Sequence, residues 1–104
     1  MSSKRLAVLE KMTAAGSTDP FAWYGLALEY RSLGRHDDAV ATFTKLRDLD
    51  PGYVPQYLMC GSLLIELGRK DEARVWLEQG ITTARAKGDS HALSELTSAL
   101  AGAA

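Results

Sequence analysis

The residues that could carry chemistry are few, and their spacing does not assemble them. His36 and His91 lie far apart in the chain, and neither has a companion Cys or a carboxylate pair at metal-ligand spacing. The single cysteine, Cys60, has no His at helical spacing. It sits on an apolar stripe, where it reads as a small buried hydrophobe rather than a nucleophile. Carboxylates cluster as Asp37–Asp38, Asp48 with Asp50, Asp71–Glu72, and Glu66. The first and third of these fall where helices are expected to start, and acids suit the dipole there. No glycine-rich phosphate loop and no Ser–His–Asp spacing is present. These residues imply no catalytic set, no metal and no cofactor, and a non-enzyme is expected.

The totals narrow the class further. A chain of 104 residues fits one compact domain. Its apolar fraction of 46% is ordinary for a globular domain. Twelve basic and 13 acidic residues give a formal net charge of −1, which argues against a nucleic-acid partner. There is no polybasic run and no apolar stretch of membrane-spanning length, so no membrane role is expected. The opening "MSSKRLAVLEKM" places Glu10 and Lys11 where a secretory signal would need apolar residues. With one cysteine and no such signal, a reducing, cytoplasmic setting is expected.

Nearly every segment has helical periodicity, and none has a convincing period of two. Breakers at Gly16 to Pro20, Gly34, Asp50 to Gly52, Gly68, and Gly88 to Asp89 divide the chain into six candidate helices. Asp19 and Pro20 form a start signal, an N-cap followed by a proline at the first helical position. Gly34 is expected to end a helix in the left-handed conformation. Asp89 or Ser90 is expected to cap the last helix, and the tail "AGAA" is expected to fray.

The loudest feature is a repeat. "LGRHDDA" at 33–39 returns as "LGRKDEA" at 67–73, a period of 34. In the first unit Trp23, Leu26, Ala27, Tyr30, Gly34, Ala39, Phe43 and Pro51 occur in order. This resembles the tetratricopeptide repeat pattern W-x2-L-G-x2-Y…A-x3-F…P, with Ala27 for the small Gly. The second unit matches less well: Tyr57, Cys60, Gly61, Leu64, Gly68, Ala73 and Leu77 keep the phase, and Arg85 stands for the closing Pro. Leu9 and Met12 fall one period before Phe43 and Leu46, so the first helix resembles the second half of a preceding repeat. Leu93, Leu96, Thr97 and Leu100 resemble an opening half, two residues late.

The resemblance implies an all-α helix-turn-helix solenoid over a single domain at 1–104. Its parts would be a leading half-repeat helix at 3–15, repeats at 20–53 and 54–87, and a C-terminal capping helix at 89–101. Small residues where helices cross, Ala27 with Ala39 and Gly61 with Ala73, are expected to allow close approach. The repeated seven-residue segment then reads as a hairpin joint used twice. Arg35 and Arg69 are expected to remain solvated near the carbonyl end of the preceding helix.

The resemblance also implies a non-catalytic scaffold for protein–protein interaction, binding along a concave groove lined by the first helix of each unit. In peptide-binding members Lys, Asn and Arg clamp a C-terminal carboxylate there. The matching positions here are Tyr24, Leu28 and Met59, then Asp89 and Leu93 or, with the shift, His91 and Glu95; none is a Lys, Asn or Arg. A carboxylate clamp is therefore not expected. Those helices carry a second apolar stripe instead: Phe21, Tyr24 and Leu28 in the first, and Leu58, Met59 and Ile65, interrupted by Ser62, in the second. The stripe either packs inside the monomer or forms an apolar groove for a peptide or a helix. The expected partner is a protein or peptide segment, with a homodimer through the same groove as the alternative. Trp76 is expected to pack on the last helix near Leu93 and Leu96, and otherwise to be an exposed anchor.

Overall fold

Each place where the sequence breaks helical periodicity becomes a helix end. The computed structural model describes residues 3–103 of the 104-residue chain. Among the described residues there are six α-helices and no strand: α1 (Ser3–Ala14), α2 (Pro20–Ser32), α3 (His36–Leu49), α4 (Pro55–Glu66), α5 (Lys70–Lys87) and α6 (Ser90–Gly102). The architecture is an all-α helical repeat.

The starts have identifiable causes. The Asp19 side chain accepts from the Phe21 N–H at 3.0 Å, with Pro20 at the first helical position of α2. Asp89 accepts from the Ala92 N–H at 3.1 Å and caps α6. Pro55 opens α4 in the same way as Pro20 opens α2. The ends have one cause used four times. Gly16, Gly34, Gly68 and Gly88 have φ between 69 and 91°, which L side chains rarely adopt. After α2 the Arg35 N–H returns to the Tyr30 carbonyl at 2.8 Å and the Gly34 N–H to Arg31 at 3.0 Å. After α4, Arg69 to Leu64 and Gly68 to Ile65 repeat both bonds at the same distances. This is the Schellman arrangement, which satisfies carbonyls a helix end leaves open.

The repeated joint also contains a bridge that differs from expectation. Arg35 reaches back only as far as the Tyr30 ring of α2, 4.5 Å from its guanidinium, while its ion pair and that of Arg69 run forward. Arg35 Nε donates forward to Asp38 Oδ2 at 2.8 Å, and an Arg69 guanidinium nitrogen donates to Glu72 Oε2 at 2.6 Å. Each Arg stands at an N-cap without a capping side chain of its own, so the acid three residues on is its nearest counter-charge. Both pairs are exposed and contribute little to stability. The tail differs as well. Ala103 is buried, and its carbonyl accepts from an Arg74 guanidinium nitrogen at 3.0 Å, which anchors α6 beyond the expected end.

Contacts gather into two compact units, Met1–Pro51 and Gly52–Ala104. In the first, α2 packs against α1 and α3. Ala22, Leu26, Ala27, Ala39, Phe43 and Leu46 form its buried apolar set, and Leu9 of α1 lies over Gly25. In the second, α5 packs against α4 and α6, and α4 also meets α6. Two glycines set this packing. A methyl on Gly61 would come within 2.5 Å of the Leu77 side chain, and one on Gly80 would come within 2.5 Å of Tyr57 Cβ and 2.9 Å of Leu96. Gly80 is thus where α4, α5 and α6 approach one another.

Candidate partner-binding faces and an aromatic cavity

The helical period places the predicted site residues on the sides of α2 and α4 opposite their buried stripes. On α2, Phe21 is 67% exposed, and Tyr24 and Leu28 follow it at helical spacing, half-buried. Tyr24 also serves the interior. Its ring meets Phe43 of α3 edge-on, with centroids 6.3 Å apart and planes at 63°. On α4, Leu58, Met59, Ser62 and Ile65 are all half-buried, while Tyr57, Cys60, Gly61 and Leu64 on the other side are buried. Each unit therefore presents its own apolar face. Trp76 is 5% exposed, and its ring lies 6.0 Å from Tyr57 of α4 at 51°, so it is an interior residue rather than an exposed anchor.

The other side of α2 is not fully closed. Leu26 is buried, but Trp23 and Tyr30 are only half-buried. They line an open cavity of about 370 Å³ together with Leu26, Glu10, Thr13 and Ala14 of α1 and Thr42 of α3. Tyr30 closes its rim by donating its hydroxyl to Glu10 Oε2 at 2.6 Å. Burial first, and then this bond to an anion, pushes the Tyr30 phenol up to about 12. The Arg35 guanidinium lies 4.5 Å from the Tyr30 ring centroid, a cation–π distance.

The cavity was not legible as a site because no single residue announces it. The signal lies in the repeat. Thr42 and Trp76 are one period apart, as are Trp23 and Tyr57. In the second unit Trp76 packs on Tyr57; in the first, Thr42 leaves the corresponding space beside Trp23 open.

The remaining reactive types are placed as structure. Cys60 is fully buried. His91 is exposed and pairs with Glu95 one turn on, at 3.1 Å. No helix among the described residues is long and apolar enough to cross a membrane.

Antiparallel helical hairpins, repeated at one period and joined by identical glycine turns, define the class: a helical-repeat protein. The particular family follows from comparison. The tetratricopeptide repeat profile matches residues 30–100, and the chain belongs to that family. A TPR repeat-containing protein of Pseudomonas aeruginosa is 32% identical over 89 residues, spanning 86% of this chain and 85% of its own length. The solution structure of a tetratricopeptide repeat domain protein from Salinibacter ruber is 40% identical, covers 82% of this chain and 86% of that one, and superposes with a TM-score of 0.78. The TPR2B domain of yeast Sti1, solved as a complex with pHsp70, superposes with a TM-score of 0.85. It covers 94% of this chain and 78% of that one, and at 17% identity it shares the fold alone.

Proposed function

We propose that the protein is a non-catalytic interaction module that takes an apolar peptide or helix on the exposed faces of its first-in-hairpin helices. The contact residues are Phe21, Tyr24 and Leu28 on α2 and Leu58, Met59, Ser62 and Ile65 on α4. One observation carries the reading. Phe21 is a large aromatic held 67% in solvent by a capped, proline-started helix, and nothing in the fold of its own unit uses that exposure. Membership in the tetratricopeptide repeat family supports it, as does the Sti1 domain of the same fold, which was solved as a complex with pHsp70. None of these seven residues is a Lys, Arg or Asn, so the partner is read mainly through apolar side chains rather than through a terminal carboxylate.

The test is the double variant Phe21→Ser with Leu58→Ser. Phe21 is preferable to Tyr24 because Tyr24 also holds Phe43. The immobilised wild-type chain should retain a protein from a lysate of its own organism that the variant does not. Circular dichroism should be unchanged and the loss of stability small: exposed Phe21 costs within about 0.5 kcal/mol, and half-buried Leu58 on the order of 1 kcal/mol. Equal retention by both chains would remove the reading. A dimer seen by light scattering for the wild type and lost in the variant would identify the occupant as a second copy.

A further inference from the structure

The cavity of the first unit lies on the opposite side of α2 from Phe21, and its walls specify what they can hold. All four side-chain donors that line it are engaged within the protein. Thr13 Oγ1 donates to the Leu9 and Glu10 carbonyls at 3.0 and 3.2 Å, and Thr42 Oγ1 donates to the Asp38 carbonyl at 2.7 Å. Trp23 Nε1 donates to the Ser17 carbonyl at 2.7 Å, and the Tyr30 hydroxyl donates to Glu10 at 2.6 Å. What remains is apolar surface from Trp23, Leu26, Tyr30 and Ala14, and acceptor capacity, strongest at the Glu10 carboxylate and weaker at the hydroxyl oxygens. An occupant must therefore bring an apolar body and its own donor, and a positive one is favoured beside the Glu10 carboxylate and the Trp23 face, the Tyr30 ring already having the Arg35 guanidinium 4.5 Å away.

The body can be specified further from within the molecule. One period later the equivalent space is taken by an indole: Trp76 stands where Thr42 stands and packs at 6.0 Å on Tyr57, the counterpart of Trp23. At about 370 Å³ the open cavity falls within the range of ligand clefts, roughly 300–1,000 Å³. We propose that the cavity formed by Glu10, Trp23, Leu26, Tyr30 and Thr42 is a binding site for an aromatic ring that carries a cationic nitrogen. The ring takes the place that Trp76 takes in the second unit, and the nitrogen meets Glu10. This site shares no residue with the α2 and α4 faces, so either can fail without the other.

Tryptamine is the probe, and the Trp23 indole N–H and the Tyr30 ring resonances report on it by NMR titration. Saturable shifts at these signals, with a Kd on the order of 1 mM, are expected for one ring in an open cleft. 3-Indolepropionate, the same ring with the opposite charge, should bind at least tenfold more weakly. Thr42→Trp should fill the cavity and weaken tryptamine at least tenfold. Glu10→Gln keeps the shape and should narrow the difference between tryptamine and 3-indolepropionate. It serves as the second variant if Thr42→Trp does not fold. A further arm distinguishes the source of the ring: acetyl-Trp-Lys-amide binding more tightly than tryptamine indicates a ring borne by a protein, and the reverse indicates a free arylalkylamine. Unmoved Trp23 and Tyr30 signals, equal binding of the anionic probe, or full tryptamine binding by folded Thr42→Trp would each overturn the proposal.

Discussion

The two units use one hairpin plan and distribute volume within it differently. On the second helix of the first unit, Thr42 and Leu46 lie one turn apart on the same face; on the second helix of the other unit, Trp76 and Gly80 occupy the same two positions. All four are buried. Small followed by large has become large followed by small. In the second unit the exchange is complete: Gly80 lets Tyr57 and Leu96 come close, and the Trp76 ring packs beside Tyr57. In the first unit no such ring is present, and Trp23 and Tyr30 stay half-open around a cavity. A repeat constrains the backbone and the joints more tightly than it constrains how each interior is filled. Packing at native density closes one interior, and the other retains an opening that a ligand can use.

The comparison breaks most visibly at Trp76. Trp76→Thr gives the second unit the residue of the first at the filled position. It should cost about 3–5 kcal/mol, the range for truncating a buried large aromatic. Urea unfolding followed by circular dichroism measures it. A loss under about 1 kcal/mol would mean that Trp76 does not fill the interior and that the two units do not differ as described. Gly80→Ala comes next. The added methyl meets Tyr57 Cβ, an atom close to the backbone that cannot swing aside. Overpacking of this kind costs about 1–3 kcal/mol, partly offset by roughly 1 kcal/mol of helix propensity. A net gain in stability on the same urea measurement would show that α4 and α5 can part without loss.

The elements of this comparison differed in how far the sequence revealed them. Helix ends were readable because Gly34, Gly68, Pro20 and Asp19 act locally, through their own backbone conformation or a bond two residues away. The family was readable because its pattern is also local, one hairpin long. The Arg35–Asp38 bridge spans three residues, yet charge alone pointed Arg35 only back toward α2, where it meets the Tyr30 ring, and not forward to Asp38. The order of the tail was not readable at all, since Arg74 holds the Ala103 carbonyl across 29 residues of chain. Periodicity placed Phe21, Tyr24 and Leu28 on one face but could not say that Tyr24 also supports Phe43. The cavity was hidden for a further reason: it arises from a side chain that is small, and a threonine gains meaning only beside its counterpart Trp76.

The smallest effect belongs to Tyr30, which holds α1 against α2 at the rim of the cavity through Glu10. Its counterpart one period on is Leu64, which is fully buried and makes no such bond. Tyr30→Phe removes the hydroxyl and should cost on the order of 1 kcal/mol at neutral pH, a typical single hydrogen bond. The pH dependence separates this loss from simple repacking. The folded chain holds the phenol protonated, its pKa raised from 10.0 to about 12 by burial and then by Glu10, with Asp38 acting in the same direction and Arg35 opposing them. A group whose pKa is raised on folding contributes its full stabilisation below the unfolded value and loses it as pH climbs through the folded one. The wild-type urea midpoint should therefore fall more steeply than that of Tyr30→Phe between pH 10 and about 12, and the difference between the two chains should be constant below pH 9. Parallel curves over that alkaline interval would show that the first unit is not fastened at Tyr30, leaving the Leu9 contact with Gly25 and the Arg5–Glu29 ion pair at 3.3 Å to join α1 and α2.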